Sequence, residues 1–251
     1  QINSLFANKP HTVAVKIAIY GSEGMGKTRL VDYCLTRLKE TETVSHRFNF
    51  LFHEFDLRNY LIQFFYNLNR NPDFNLFLKN FSESQQNFIL RKISLLSDID
   101  LDNLQWYLDL YTEFLSQLSE KKNICFIFEN LQELDGYQIE KLLAFVEEIQ
   151  KYQIFILFTI NSDSPFKYKM QVTHDIYLSR LYLQSVENAI RHYLETSSLN
   201  ARLITNHCYL KSAGNPQKIK LLLYSVYQPL IPERKHDHLD IKHLQKVQLP
   251  D

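Results

Sequence analysis

Hydrophobic and polar residues follow two patterns along this chain. Continuous apolar runs, typical of strands that are buried on both faces of a sheet, occupy residues 13–20, 123–129 and 153–160. An aromatic run at 48–55 is interpreted as a further strand, and residues 174–181 are compatible with a last one. Between these runs, apolar residues recur every three or four positions, which indicates amphipathic helices.

The helical patterns alternate with the strands in the first part of the chain and then continue alone. They cover residues 27–40, most of 58–119 with weaker periodicity between 70 and 102, 137–150, 184–196, 199–212 and 216–227. The alternation predicts an α/β fold, with a parallel sheet that carries helices on both faces. The change near residue 182 predicts a small helical lid. We therefore expect a core at 1–181, a lid at 182–230 and a solvated connector at 231–251.

Composition narrows the possible partners. The chain has 251 residues, of which 45% are hydrophobic, so it can bury a sizeable core. Its 28 basic and 28 acidic residues give zero net charge, and no overall attraction to DNA or to an anionic membrane follows. The longest apolar stretch, 154–160, is too short to span a bilayer. The missing initial Met and the abrupt ends indicate a piece of a larger protein.

Three cysteines, Cys34, Cys125 and Cys208, are scattered along the chain. Their number and spacing form neither a disulfide framework nor a metal-binding pattern, which predicts a reducing, intracellular compartment, cytoplasmic or nuclear. Cys125 lies inside an apolar run, where we expect a buried thiol.

The most specific motif is "GSEGMGKT" at residues 21–28, which matches the phosphate-binding loop pattern G-x-x-x-x-G-K-[ST]. Glycines allow the backbone N–H groups of such a loop to point at phosphate oxygens, and the following helix adds its positive end. Lys27 is expected to bridge the β- and γ-phosphates, and the Thr28 hydroxyl to ligate Mg²⁺. Three of the chain's 5 glycines fall in this motif, so a chance match is improbable. The predicted nucleotide-binding residues here are Gly21, Ser22, Glu23, Gly24, Met25, Gly26, Lys27, Thr28 and Arg29.

A second motif, "ICFIFENLQEL" at 124–134, ends a predicted buried strand with Glu129 and Asn130. A phosphate-binding loop predicts an acid at such a strand end, facing Mg²⁺, and we assign Glu129 this role through a metal-bound water. Asn130 is the second candidate catalytic residue. Its neutral amide cannot accept a proton from an attacking water, although it can orient one. A polar cap that simply ends the strand is the alternative for both residues.

Together, "GSEGMGKTRL", "FIFENLQELD" and "SAGNPQKIKLLL" resemble the STAND ATPases, signal-transduction relatives of the AAA+ superfamily. The resemblance spans roughly residues 10–230, but only these short motifs are specific. It implies a P-loop core with a helical lid, and a site for ATP or ADP with Mg²⁺. It places Glu129 and Asn130 on the family's two strand-end acids and Asp135 on a trailing Asp.

The resemblance also implies two further nucleotide contacts. Asn161, two residues after Thr159, falls where many members have an Arg that senses the γ-phosphate, and it supplies no charge. Pro216 of the Gly-Asn-Pro triplet is implied to pack near the adenine and to couple the lid to the nucleotide. Both positions have structural alternatives: Asn161 can start a turn, and Asn215 is a good helix N-cap followed by a favourable Pro.

Several weaker candidates are interpreted as solvated residues with no role in binding or catalysis. Lys218 and Lys220 on the predicted lid helix are expected to be solvated rather than phosphate-binding. His53 and Glu54 lie at the end of the predicted strand at 48–55, and they are minor candidates for a role at the site. Three histidines in the tail lack acids or cysteines at fixed offsets and are interpreted as solvated rather than metal-binding: His236, His238 and His243.

Four functions compete. The leading hypothesis is a nucleotide-dependent conformational or assembly switch with weak or slow ATP hydrolysis and a protein partner or self-assembly as its output. A competent ATPase is possible if a neighbouring subunit supplies an acid or Arg. An origin-recognition-type, DNA-binding initiator subunit would show a basic face or an appended winged helix, and neither is evident. A structural protein with a vestigial site is disfavoured by the intact loop.

Overall fold

A computed structural model describes residues 13–38, 43–51, 55–68, 72–94, 104–164, 171–194 and 198–227. Contacts divide the chain into two units. The first consists of Gln1–Ile19 and Leu30–Ile176, and the second of Tyr20–Arg29 and Tyr177–Asp251.

The first unit is built on a five-stranded sheet with the order β2-β3-β4-β1-β5. The strands are β1 (Val15–Tyr20), β2 (Thr43–Asn49), β3 (Asn123–Glu129), β4 (Ile154–Ile160) and β5 (His174–Tyr177). The pairs β2–β3 and β3–β4 are parallel. Every residue of β4 is buried, and so are all but the first of β3, which is why both strands read as continuous apolar runs.

Helices connect and cover these strands. They are α1 (Lys27–Leu38), α2 (Leu57–Leu68), α3 (Pro72–Leu78), α4 (Glu83–Ser94), α5 (Leu104–Lys121) and α6 (Gly136–Ile149). Phe145 of α6 contacts Phe126 on one face of β3, while Asp32 of α1 bonds to Arg47 on the opposite face of the sheet. The predicted α/β fold, with helices on both faces of a parallel sheet, is therefore confirmed.

The position of β2 corrects the sequence prediction. The aromatic run at 48–55 is not the strand; the strand is Thr43–Asn49, residues 50 and 51 form a turn, and 52–54 lie outside the described residues. The observed strand alternates: His46 and Phe48 stack on Phe126 and Phe128 of β3, while polar side chains occupy the other face. Its edge position in the sheet permits this mixed pattern, which hid it from a search for apolar runs.

The second unit contains the phosphate-binding loop and three helices. These are α7 (Leu183–Leu194), α8 (Ser198–Ser212) and α9 (Pro216–Leu222), followed by a π-helical turn (Leu223–Tyr227). Their shared core is apolar: Val186, Ile190, Ile204, Cys208, Ile219, Leu222 and Leu223. The predicted helices of the lid are thus present with small changes at their ends. The predicted domain boundaries stay a prediction, and the connector at 231–251 lies outside the described residues.

None of the described helices is long and apolar enough to cross a membrane. Cys125 is fully buried in β3, as predicted, and burial raises the pKa of its thiol.

Candidate nucleotide-binding site

The loop between β1 and α1 has the backbone that its sequence requires. The strand ends at Tyr20 and the helix begins at Lys27, so the predicted strand and helix flank the loop. Gly24 and Gly26 have φ angles of +75° and +91°, a region that L-amino acids rarely adopt. The glycines therefore permit a local curl that other residues would resist.

Lys27 folds back onto the loop that precedes it. Its side chain is buried, and Nζ donates hydrogen bonds to the carbonyl oxygens of Gly21 (2.7 Å) and Ser22 (3.2 Å). Burial lowers the pKa of Lys27, and the nearby charge of Glu23 acts in the opposite direction. The ammonium group is thus held at the mouth of the loop by two carbonyl groups, which a phosphate can replace as partners. The next residue, Thr28, is exposed in the first turn of α1.

Within the same unit, the start of helix α9 is hydrogen-bonded to the loop. Asn215 caps α9 by accepting from the amides of Gln217 (3.0 Å) and Lys218 (3.2 Å), with Pro216 at the first helical position, as the sequence alternative predicted. The Asn215 Nδ2 group also donates to the Glu23 carbonyl at 2.9 Å. The Gln217 amide donates to the Gly24 carbonyl at 3.2 Å.

Packing at Gly24 is close. A Cβ atom at this position would lie 2.6 Å from Gln217 Oε1 and 2.8 Å from Asn215 Oδ1, distances that real Cβ atoms do not show. A Cβ at Gly26 would meet nothing within 4 Å. Gly24 therefore has two roles, a positive φ and space for α9, whereas Gly26 has only the first.

In the first unit, Glu129 ends β3 with a fully buried side chain. Its Oε2 accepts a hydrogen bond from Arg47 Nε of β2, and Oε1 has no hydrogen-bond partner among the described residues. Arg47 also donates from Nη1 to Asp32 Oδ1 of α1 at 2.7 Å. The bond to Glu129 is the main cause that raises the pKa of Arg47, while partial burial opposes it.

Asn130 has a structural role that the sequence did not reveal. Its φ of +61° is left-handed, a conformation in which Asn is enriched among residues other than glycine. The backbone amide donates to Thr159 Oγ1 (3.0 Å), and Nδ2 donates to Asn49 Oδ1 (2.8 Å). Because Asn49 Oδ1 also accepts from the Leu51 amide at 3.1 Å, it needs a donor, not a second acceptor, at position 130.

Two other residues placed by the resemblance serve the local backbone. Asp135 is the N-cap of α6 and forms a capping box with Gln138. Asn161 starts a turn: its carbonyl accepts from the Ser164 amide at 2.9 Å. Arg29, Lys218 and Lys220 are exposed. Among the weaker candidates, His53, Glu54, His236, His238 and His243 lie outside the described residues.

The oxygen donors are compatible with magnesium. Within the described ranges, no group of three or more His, Cys, Asp or Glu side chains could hold a metal ion. Mg²⁺ does not need such a cage, because it usually keeps several waters and takes one or two protein ligands beside the substrate phosphates. The Thr28 hydroxyl is exposed, and the buried Oε1 of Glu129 has a free acceptor position. Each of them, taken by itself, offers an oxygen of the kind that Mg²⁺ binds.

Sequence reasoning missed Arg47, Asn49 and Asp32 on one side of the sheet, and Gln217 beside the loop. A signal was present for the first two. Arg47 and Asn49 are two positions apart, so on a strand they share one face, and in the register Asn49 lies opposite Glu129. The misplaced strand at 48–55 concealed this relation.

A glycine loop between a strand and a helix of an α/β sheet defines the fold as that of a P-loop protein. Comparison with solved structures is more specific. The protein resembles a chain of the Escherichia coli MS115-1 HORMA:CdnC:Trip13 complex, with a TM-score of 0.55 and 9% identity over 99% of this chain and 77% of that one. It also resembles a chain of the Drosophila origin recognition complex bound to DNA, with a TM-score of 0.50 and 13% identity over 97% and 58% of the two chains. The fold is that of the AAA+ P-loop ATPases, as the sequence predicted.

A STAND protein with a tetratricopeptide repeat sensor from Pyrococcus horikoshii also matches. Its TM-score is 0.48 and its identity 15%, over 98% of this chain and 31% of that one. The chain thus spans less than two thirds of both the STAND and the origin recognition chains. No protein-family model matches the sequence, and no curated protein matches it. At these identities the likeness concerns the fold alone.

Proposed function

We propose that this chain is an ATP-binding, STAND-type switch module, with a core at 1–181 and a lid at 182–230. The observation that carries the proposal is the direct bonding of α9 to the loop, in which Asn215 and Gln217 bind the carbonyls of Glu23 and Gly24. A nucleotide that changes the backbone of the loop changes these bonds as well. It therefore shifts the equilibrium of the lid according to its different affinities for the two lid positions.

The loop residues supply the binding. The backbone amides of residues 21–28 hold the phosphates, Lys27 exchanges its carbonyl partners for phosphate oxygens, and Pro216 lies against the base. Mg²⁺, when bound, neutralises phosphate charge. Thr28 and Glu129 are its proposed protein partners, the second through a water molecule.

Hydrolysis is proposed to be slow or absent. Asn130 occupies the position of a general base, but an amide cannot take a proton from water. Its Nδ2 group is also engaged by Asn49 Oδ1. Asn161 adds no positive charge to stabilise a transition state, and its carbonyl is used in a turn. A module that holds nucleotide for a long time suits a switch better than a turnover enzyme.

The expected output is self-assembly or binding of a protein partner in the cytoplasm or nucleus. One of the matched structures is an origin recognition complex bound to DNA, so a DNA-binding initiator subunit is the competing proposal. The zero net charge of this chain disfavours it. Salt-sensitive DNA binding by the purified chain would favour it.

The test is equilibrium binding of ATP and ADP together with steady-state turnover. We expect binding with negligible turnover in the parent chain, and a loss of more than about tenfold in affinity for Lys27→Ala. Lys218→Ala removes an exposed lysine of α9 and is the matched control, which should bind as the parent does. The Asn130→Asp variant should show a higher steady-state turnover than the parent chain, because a carboxylate can accept a proton from water. Rapid turnover in the parent would refute the slow-hydrolysis switch, and absence of binding would refute the whole proposal.

A further inference from the structure

Glu129, the buried acid at the end of β3, forms an ion pair with Arg47 of the neighbouring strand β2. Glu129 is fully buried, and one of its oxygens is bonded to the guanidinium of Arg47, whose side chain is 35% exposed. The second acid of the cluster differs, because Asp32 is 55% exposed and therefore hydrated. Arg47 is thus the only cation bonded to Glu129 among the described residues, and Glu129 is the partner that depends on it.

Burial makes this dependence strong. An ionised carboxylate out of contact with water is costly unless a positive charge and hydrogen bonds compensate it. A guanidinium does this permanently, since it keeps its proton in proteins and presents its donors in a fixed plane. In a P-loop site the same compensation can come from the hydrated metal that accompanies the nucleotide. Here it comes from the neighbouring strand.

We propose that Arg47 is a built-in countercation of Glu129 and makes nucleotide binding by this chain nearly independent of divalent metal. The inference rests on the proposed function, in which Glu129 belongs to the nucleotide site. Arg47 is a positioning residue in this account: it neutralises Glu129 and leaves Oε1 without a hydrogen-bond partner among the described residues. A nucleotide at the proposed site is then affected by a neutral pair instead of a bare carboxylate.

The readout is the ratio of ATP dissociation constants in excess EDTA and in excess Mg²⁺, measured by equilibrium titration and needing no turnover. For the parent we expect a ratio below about threefold. Arg47→Gln leaves a buried carboxylate that repels the triphosphate unless a metal is present. Its ratio should exceed about tenfold, mainly through weaker binding in EDTA.

Two further variants separate charge from structure. Asp32→Asn removes the hydrated partner alone and should keep the parent's ratio. Arg47→Lys keeps a cation and should stay near the parent. If Arg47→Gln does not fold, Arg47→Lys decides the question, and a ratio above about tenfold in it would overturn the inference.

The outcomes distinguish the two proposals. A parent ratio above about tenfold, or equal ratios in the parent and Arg47→Gln, would overturn the countercation but leave nucleotide binding in place. No binding in either buffer would refute both.

Discussion

Replacing Gly24 by alanine tests whether the lid is attached through the loop. Gly24 has φ +75°, and a Cβ atom would approach Gln217 Oε1 to 2.6 Å and Asn215 Oδ1 to 2.8 Å. Rotation of the Gln217 side chain could move its Oε1 away, but a Cβ atom at position 24 would also lie 2.9 Å from Gln217 Cβ. The added methyl group must therefore displace the first turn of α9 and its cap.

The magnitude follows from two contributions. A left-handed conformation costs an alanine roughly 1–2 kcal/mol, and this strain is confined to the loop. Displacing Asn215 and Gln217 loses two hydrogen bonds, to the carbonyls of Glu23 and Gly24, each with a net value of about 1 kcal/mol. The second contribution alone favours opening of α9's first turn by about 2 kcal/mol, which is roughly 30-fold in the opening equilibrium.

Gly26→Ala is the matched control. Its φ of +91° is also unfavourable for alanine, but a Cβ there would meet nothing within 4 Å. Gly26→Ala therefore imposes the same kind of backbone strain on the loop as Gly24→Ala, but its methyl group does not contact α9. Any difference between the two variants therefore reports the contact.

The assay is hydrogen exchange at the Gln217 amide without nucleotide, because this amide donates to the Gly24 carbonyl and to Asn215 Oδ1, and the added Cβ would displace both contacts. We expect exchange in Gly24→Ala to accelerate by more than about tenfold, and Gly26→Ala to stay within about twofold of the parent. Equal acceleration in both variants, or none in Gly24→Ala, would refute the reasoning.

Other predictions concern the first unit, with urea unfolding as the measurement. Burial lowers the pKa of His46 from 6.5 to about 4; the unfolded chain therefore binds a proton between these pH values that the folded chain does not. Stability should fall by about 3 kcal/mol from pH 7 to pH 4, and His46→Phe should lack this part of the slope. Asn130→Asp places a carboxylate against Asn49 Oδ1, so that two acceptors face each other, and the free energy of unfolding should fall by about 1–3 kcal/mol. Unchanged stability would contradict the assigned bond. Arg47→Gln leaves the buried Glu129 carboxylate without its cation, and the free energy of unfolding should fall by about 3–5 kcal/mol. The double variant with Glu129→Gln should recover most of this loss. A double variant as unstable as the single one would count against the buried pair.

The sequence predicted the central strands and the loop because their constraints are local. A strand buried on both faces, such as β4, must be apolar throughout, and a loop that needs positive φ angles must contain glycine. The edge strand β2 obeys a different rule. Only one of its faces packs against aromatic side chains, so it does not form a continuous apolar run, and a search for such runs does not find Arg47.

Asn130 shows a second reason for incomplete prediction. The sequence alone indicates only that Asn130 replaces the acid expected at this strand end and cannot act as a general base. The structure gives it a left-handed backbone and a bond to Asn49 on another strand. Neither the dihedral angle nor the partner's lone pairs can be deduced from the residues around position 130, because both depend on the tertiary pairing of β2 with β3.

The bond between Glu23 and Asn215 joins residues 192 positions apart. At a translation rate of about 5–20 residues per second, the glycine loop is synthesised some 10–40 s before Asn215, the N-cap of α9. The nascent chain therefore passes through a stage in which the loop is complete and α9 does not yet exist. A polypeptide terminated before residue 215 would remain at that stage, because its loop would lack the bonds to Asn215 and Gln217.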